Sequence, residues 1–199
     1  MPSRPRTPPS LAAAARRKTL RLLGAAVIGL ALPAPPAQAD VVPVRSAELR
    51  VDEGDLLLSA EFGLILTPSL EEALQKGIPL YFTTEFELLR PRWYWLDEKV
   101  AEWSITYRVS YSALTQKYRV ANGPLGQAFE SLEEVERFIG RVASRPVARA
   151  DALAKGNRYE AALRIKLDVN QLPKPFQVNA LASREWQLAS DWHRWGYNP

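Results

Sequence analysis

Ala101-Glu102-Trp103-Ser104-Ile105-Thr106-Tyr107-Arg108-Val109-Ser110-Tyr111 alternates apolar and polar side chains without a break. The odd positions carry Ala, Trp, Ile, Tyr, Val and Tyr, and the even ones Glu, Ser, Thr, Arg and Ser. Successive strand side chains point to opposite faces, so the pattern predicts a half-buried strand with one aromatic face. The same two-residue period returns in three other places. Ile78, Leu80, Phe82, Thr84, Phe86 and Leu88 form one apolar face, and Leu56, Leu58, Ala60, Phe62 and Leu64 form another. Tyr159, Ala161, Leu163, Ile165, Leu167 and Val169 oppose Glu160, Arg164, Lys166 and Asp168.

Shorter strands fit around these four. Ala47-Leu49-Val51 leads through Asp52-Glu53-Gly54-Asp55, which is hairpin-turn chemistry, into the Leu56 strand. The Trp103 strand is expected to turn at 112–115 into a partner at 116–120. Val147–Leu153 is expected to pair with the Tyr159 strand through Gly156-Asn157. Phe176, Val178 and Ala180 alternate, as do Trp186, Leu188, Ser190 and Trp192, and both read as strand. Two helices interrupt the pattern. Ser69 and Glu72 have capping-box spacing with Gly77 as a stop, and Ser131 and Glu134 repeat it. Leu132, Val135, Phe138, Ile139 and Val142 form the second helix's apolar stripe. Alternating strands with short turns predict antiparallel sheets, each with one dry face. The expected fold is mainly β: an antiparallel β-sandwich of about seven to nine strands with two short helices.

Residues 1–39 lie outside that pattern. Arg4, Arg6, Arg16, Arg17, Lys18 and Arg21 precede an apolar run from Leu22 to Leu32, and Ala37-Gln38-Ala39 follows. A basic flank, a short apolar core and an A-x-A exit make a secretory signal. The expected organisation is therefore a signal peptide, 1–39, and one exported domain, 40–199, in the periplasm or secreted. Arg16-Arg17 partly resembles a twin-arginine signal, although ordinary export is the simpler reading. The run is too short to span a bilayer, which takes about 20 apolar residues. Membrane attachment is then expected only through an uncleaved N-terminal segment.

Removing the signal takes six of the 26 basic residues and none of the 22 acidic ones, so the domain carries a formal charge of −2. That removes the electrostatic footing for nucleic-acid binding. The chain has no cysteine, which excludes thiol catalysis and thiolate metal sites. A domain of about 160 residues buries enough surface to fold without disulfides.

Arg90-Pro91-Arg92-Trp93-Tyr94-Trp95 is the densest candidate site. Exposed rings beside guanidinium groups stack on sugars or hold anions. The burial habit of aromatics favours another reading, in which Trp93 and Trp95 alternate into the core and Tyr94 faces out. Trp195, beside His193 and Tyr197, falls on the opposite parity from Trp186 and Trp192 and is a candidate surface patch. Glu85 and Glu87 share the wet face of the Phe82 strand, a disposition that general acid–base chemistry at a glycosidic bond would need. Solvated glutamates are far commoner than catalytic ones. His193 is the only histidine, and neither a metal-ligand set nor a Ser/His/Asp arrangement stands out around it. No phosphate-binding glycine loop or dinucleotide fingerprint is present, so no cofactor is expected.

Several strings carry a resemblance. They are Gly77-Ile78-Pro79-Leu80, Arg90–Trp95, Tyr107-Arg108-Val109-Ser110-Tyr111 with its continuation to Val120, and Leu167-Asp168-Val169-Asn170-Gln171-Leu172-Pro173-Lys174-Pro175. In that order they resemble an uncharacterised family of short exported Gram-negative bacterial proteins, carrying a domain-of-unknown-function label and sometimes described as proline-rich signal peptide proteins. The resemblance implies a periplasmic or secreted single domain and supplies no catalytic residue. Three functions follow as expectations. The first is a non-enzymatic envelope module binding a protein or glycan through Arg92, Trp93, Tyr94, Trp95 and Trp195. The second is a polysaccharide hydrolase using Glu85 and Glu87. The third is a small outer-membrane β-barrel, disfavoured by two capped helices and nine prolines in 40–199.

Overall fold

The structure, a computed structural model, describes residues 42–94 and 96–199. The signal reading of 1–39 and the placement of Trp95 lie outside the described residues. Nine strands form two antiparallel sheets. The smaller has the order β1-β2-β7, from β1 (Val44–Asp52), β2 (Asp55–Phe62) and β7 (Arg141–Arg149). The larger has the order β6-β5-β4-β3-β8-β9, from β3 (Leu80–Arg90), β4 (Glu98–Ser112), β5 (Lys117–Asn122), β6 (Leu125–Phe129), β8 (Tyr159–Leu167) and β9 (His193–Tyr197). Both sheets are open, with β1, β7, β6 and β9 at their edges, which is a sandwich architecture and not the single closed sheet of an outer-membrane barrel.

The alternating faces make the core. Leu56, Leu58, Ala60 and Phe62 of β2 join Leu80, Phe82, Phe86 and Leu88 of β3 in one buried cluster with Leu163 and Ile165 of β8. Tyr107 and Tyr111 of β4 are half-buried and pack against it. Tyr111 lies opposite Tyr118 of β5, and their rings meet at 4.9 Å. At the β1–β2 turn Glu53 and Gly54 both have positive φ, 48° and 87°, as a two-residue hairpin of the favoured twist requires.

Helix α1 (Pro68–Gln75) buries Leu70, Ala73 and Leu74. Its N-cap is Thr67 and not Ser69; the Ser69 hydroxyl donates to the Glu185 carboxylate instead. Helix α2 (Leu132–Ile139) is capped by Ser131, whose hydroxyl accepts from the Glu134 N–H at 3.3 Å. Val142 leaves the expected stripe because it already belongs to β7.

Four segments depart from the sequence expectations. Residues 147–149 end β7, which pairs with β2, because both edges of β8 are occupied, by β3 and β9. Residues 125–129 form a strand that lacks alternation and is mostly exposed. Phe176, Val178 and Ala180 lie on a third helix, α3 (Lys174–Ala182). Ala180 is buried and Phe176 half-buried while Val178 is 71% exposed, so the pair four apart shares a face, as a helix demands. The Trp186–Trp192 stretch holds a 3-10 turn at Arg184–Trp186 and a single bridge from Ala189 to Lys166.

Candidate functional site

Residues 91–94, 96 and 97 lie between β3 and β4, which pair as antiparallel neighbours. Arg90 and Glu98 are the last paired residues below them. One Glu98 carboxylate oxygen, Oε2, accepts hydrogen bonds from the guanidinium groups of both Arg90 and Arg92. The bonds from Arg92 and then Arg90 hold the Glu98 carboxyl below the usual carboxylate range. Asp97 adds a further tie, its Oδ1 accepting from the Arg92 N–H at 3.3 Å. The base of the connection is therefore braced by charge-assisted bonds, and its outer side chains stand free of the core.

Those side chains are apolar. Trp93 is 95% exposed, Tyr94 67% and Leu96 80%, and the Trp93 and Tyr94 rings meet edge-to-face at 5.1 Å. The core reading of Trp93 fails because the strand ends at Arg90: beyond it, alternation no longer addresses a sheet face. Arg92, Trp93 and Tyr94 are thus brought together on one tip. Trp195 is not part of it. In β9 it lies opposite Ala161, half-buried on the inner face, 6.4 Å from Phe86 and 5.4 Å from His193. Trp192 takes the other face, under the Arg164 guanidinium at 4.3 Å, and Trp186 stacks on Phe176.

Glu85 and Glu87 point outward from β3, and both are engaged. Glu85 binds Arg164 Nε at 2.6 Å and Lys166 Nζ at 2.7 Å, and Glu87 binds Lys99 Nζ at 2.8 Å. Lys99 also reaches Glu102 at 3.1 Å, and its hydrogen bonds to Glu87 and then Glu102 push its pKa up. Partial burial raises the Glu85 carboxyl, but the hydrogen bonds from Lys166 and Arg164, with their charges, outweigh it and hold the group below its ordinary value. A general acid needs the opposite shift, so that it keeps its proton near neutral pH.

Sequence reasoning missed a second feature, an open groove of about 1000 Å³ between α2 and β6 on one side and the ends of β2 and β7 on the other. Phe138 of α2 was expected to be core; it is 37% exposed and touches Phe129 at 5.1 Å and Tyr107 at 5.6 Å, giving the groove an aromatic floor. Arg137, Arg141 and Arg145 line it. No single motif marks this groove, because it needs β6, which has no alternation, beside β7, whose partner was misassigned. Among the described residues no group of three or more His, Asp or Glu side chains is placed to hold a metal, and no helix is long and apolar enough to cross a membrane.

No curated protein and no solved structure matches the chain. Residues 39–196, which include the braced tip, the groove and both sheets except Tyr197 at the end of β9, match the family described as Domain of unknown function (DUF4390), and the chain belongs to that family.

Proposed function

We propose that this is a non-enzymatic binding module of the bacterial envelope, exported by its N-terminal segment, that engages a protein or glycan partner through the β3–β4 tip. One observation carries the reading: a tryptophan 95% exposed, with a tyrosine and a leucine beside it, on a connection braced at its base. Rings held out of the core lose little freedom on binding and bury much apolar area, which is why Trp and Tyr dominate contact hot spots. Export rests on the basic, apolar and A-x-A succession of residues 4–39. The engagement of Glu85 and Glu87 in ion pairs favours binding over hydrolysis.

Retention of the exported protein on solubilised envelope material is the test. The pair Trp93→Ala/Tyr94→Ala should lose retention at least about tenfold, since each exposed anchor contributes more than 1 kcal/mol at a hot spot. Glu85→Gln/Glu87→Gln should retain normally. The opposite pattern, with the tip pair silent and the glutamine pair defective, would replace this reading with the hydrolase.

A further inference from the structure

The two sheets end on four strands, and their free edges are not alike. β7 is interrupted twice in its pairing with β2, carries Pro146 and holds Ser144 at a positive φ of 44°. β6 and β9 are only five residues long. β1 pairs with β2 without interruption from Ser46 to Asp52. Natural sheets blunt an edge with proline or a bulge, and this stretch has neither. Its charged side chains discourage chance pairing, so the charges that a neighbour sets against them decide what can join. Glu53 and Gly54 form a two-residue turn with positive φ at both positions, so Asp52 and Asp55 close the hairpin as a hydrogen-bonded pair. Bonded pairs alternate along an antiparallel ladder, so Glu48 and Arg50 also turn their backbone groups to β2. Ala47, Leu49 and Val51 turn theirs to the open edge, where they bond to no other segment among the described residues.

We propose that β1 pairs antiparallel with β1 of a second copy of this chain, about a two-fold axis at Leu49, joining the two small sheets into one. Only pairings between odd-numbered residues use the free backbone groups, and the charges choose among those pairings. With Leu49 opposite Leu49, Ala47 lies opposite Val51 and Glu48 opposite Arg50, each twice over by symmetry. The Glu48–Arg50 pairs fall at non-hydrogen-bonded positions, where facing side chains are closest. Both side chains are exposed, and neither makes an ion pair or hydrogen bond within its own chain among the described residues. One permitted step in one direction sets Glu48 against Glu48, and in the other Arg50 against Arg50. Like charges directly opposed destabilise a pair of strands. Longer slips run into the turn at Glu53 or the irregularity between Val44 and Ser46. The charges therefore select one register, and a second copy supplies it. On the other face Val51, 49% exposed in the single chain, gains Ala47 of the second copy as an apolar neighbour. The edge shares no residue with the β3–β4 tip and stands independently of the function proposed for it.

Sedimentation velocity tests this on protein purified from the envelope of cells expressing the full chain. Over a wide range of concentration the wild type should show a monomer–dimer equilibrium. Arg50→Glu alone and Glu48→Arg alone should each raise the dissociation constant at least about tenfold, because each sets like charges opposite one another at two places. An equimolar mixture of the two variants should dimerise as the wild type does, since each then supplies the charge that the other lacks. Misfolding does not produce that recovery. Trp93→Ala/Tyr94→Ala should dimerise normally, which separates a failure of this proposal from a failure of the tip. A wild type that stays monomeric at every concentration, single variants that dimerise like the wild type, or a mixture no stronger than its components would each overturn the proposal.

Discussion

Phe86 and Trp93 sit seven positions apart in one hairpin and do opposite jobs. Phe86 is fully buried, and Trp93 has almost no contact with the core. Phe86→Ala should cost about 3–5 kcal/mol by lost burial and a residual cavity. Trp93→Ala should stay within about 0.5 kcal/mol in the same urea titration. Glu85 gives a pH signature. Its carboxyl is held below its ordinary value in the folded chain, so its stabilisation is present above the unfolded pKa and fades as pH falls through the lowered folded one. Glu85→Gln should cost about 1 kcal/mol at neutral pH, the scale of a partly exposed network. That deficit should close on acidification below the usual carboxylate range, and chemical melts across pH would show it. The distinction between Phe86 and Trp93 was only half legible in the sequence. Alternation located Phe86, whereas the end of the strand at Arg90, which decides Trp93, depends on the Arg90–Glu98–Arg92 brace that only pairing brings together.

Among the elements, α2 offers the sharpest tests. Ser131→Ala removes the acceptor for the Glu134 N–H and should lower stability by about 1 kcal/mol. Gly140 ends the helix where a β-carbon would stand 2.8 Å from the Glu136 carbonyl oxygen and 3.0 Å from that of Phe62. Both obstacles are backbone, so Gly140→Ala should destabilise by about 1–3 kcal/mol, seen as a lower midpoint in thermal melts. The capping box of α2 was readable because its signal is local. That of α1 misled, since Ser69 is drawn to Glu185, 116 positions away. For α3, residues two apart and four apart are both consistent with Phe176-x-Val178-x-Ala180, and only burial separates strand from helix. β6 left no trace because an exposed edge strand has no dry face to impose a period.

At the scale of the whole molecule, two open sheets enclose one buried cluster, and the features that face outward include the braced tip and the groove beside α2. The two-sheet plan was legible because each central strand carries its own alternation. The groove was not, because it depends on which edge lies beside which. The central claim is that the tip is the contact surface. A photoreactive amino acid substituted at Tyr94, compared with one at Leu114 on the β4–β5 turn, tests it directly in intact cells. Leu114 is as exposed as Trp93, at 95%, and also stands on a hairpin turn. The account predicts a discrete cross-linked product from position 94 that Trp93→Ala abolishes, and none from position 114. Equal products from the two positions, or none from position 94, would contradict it.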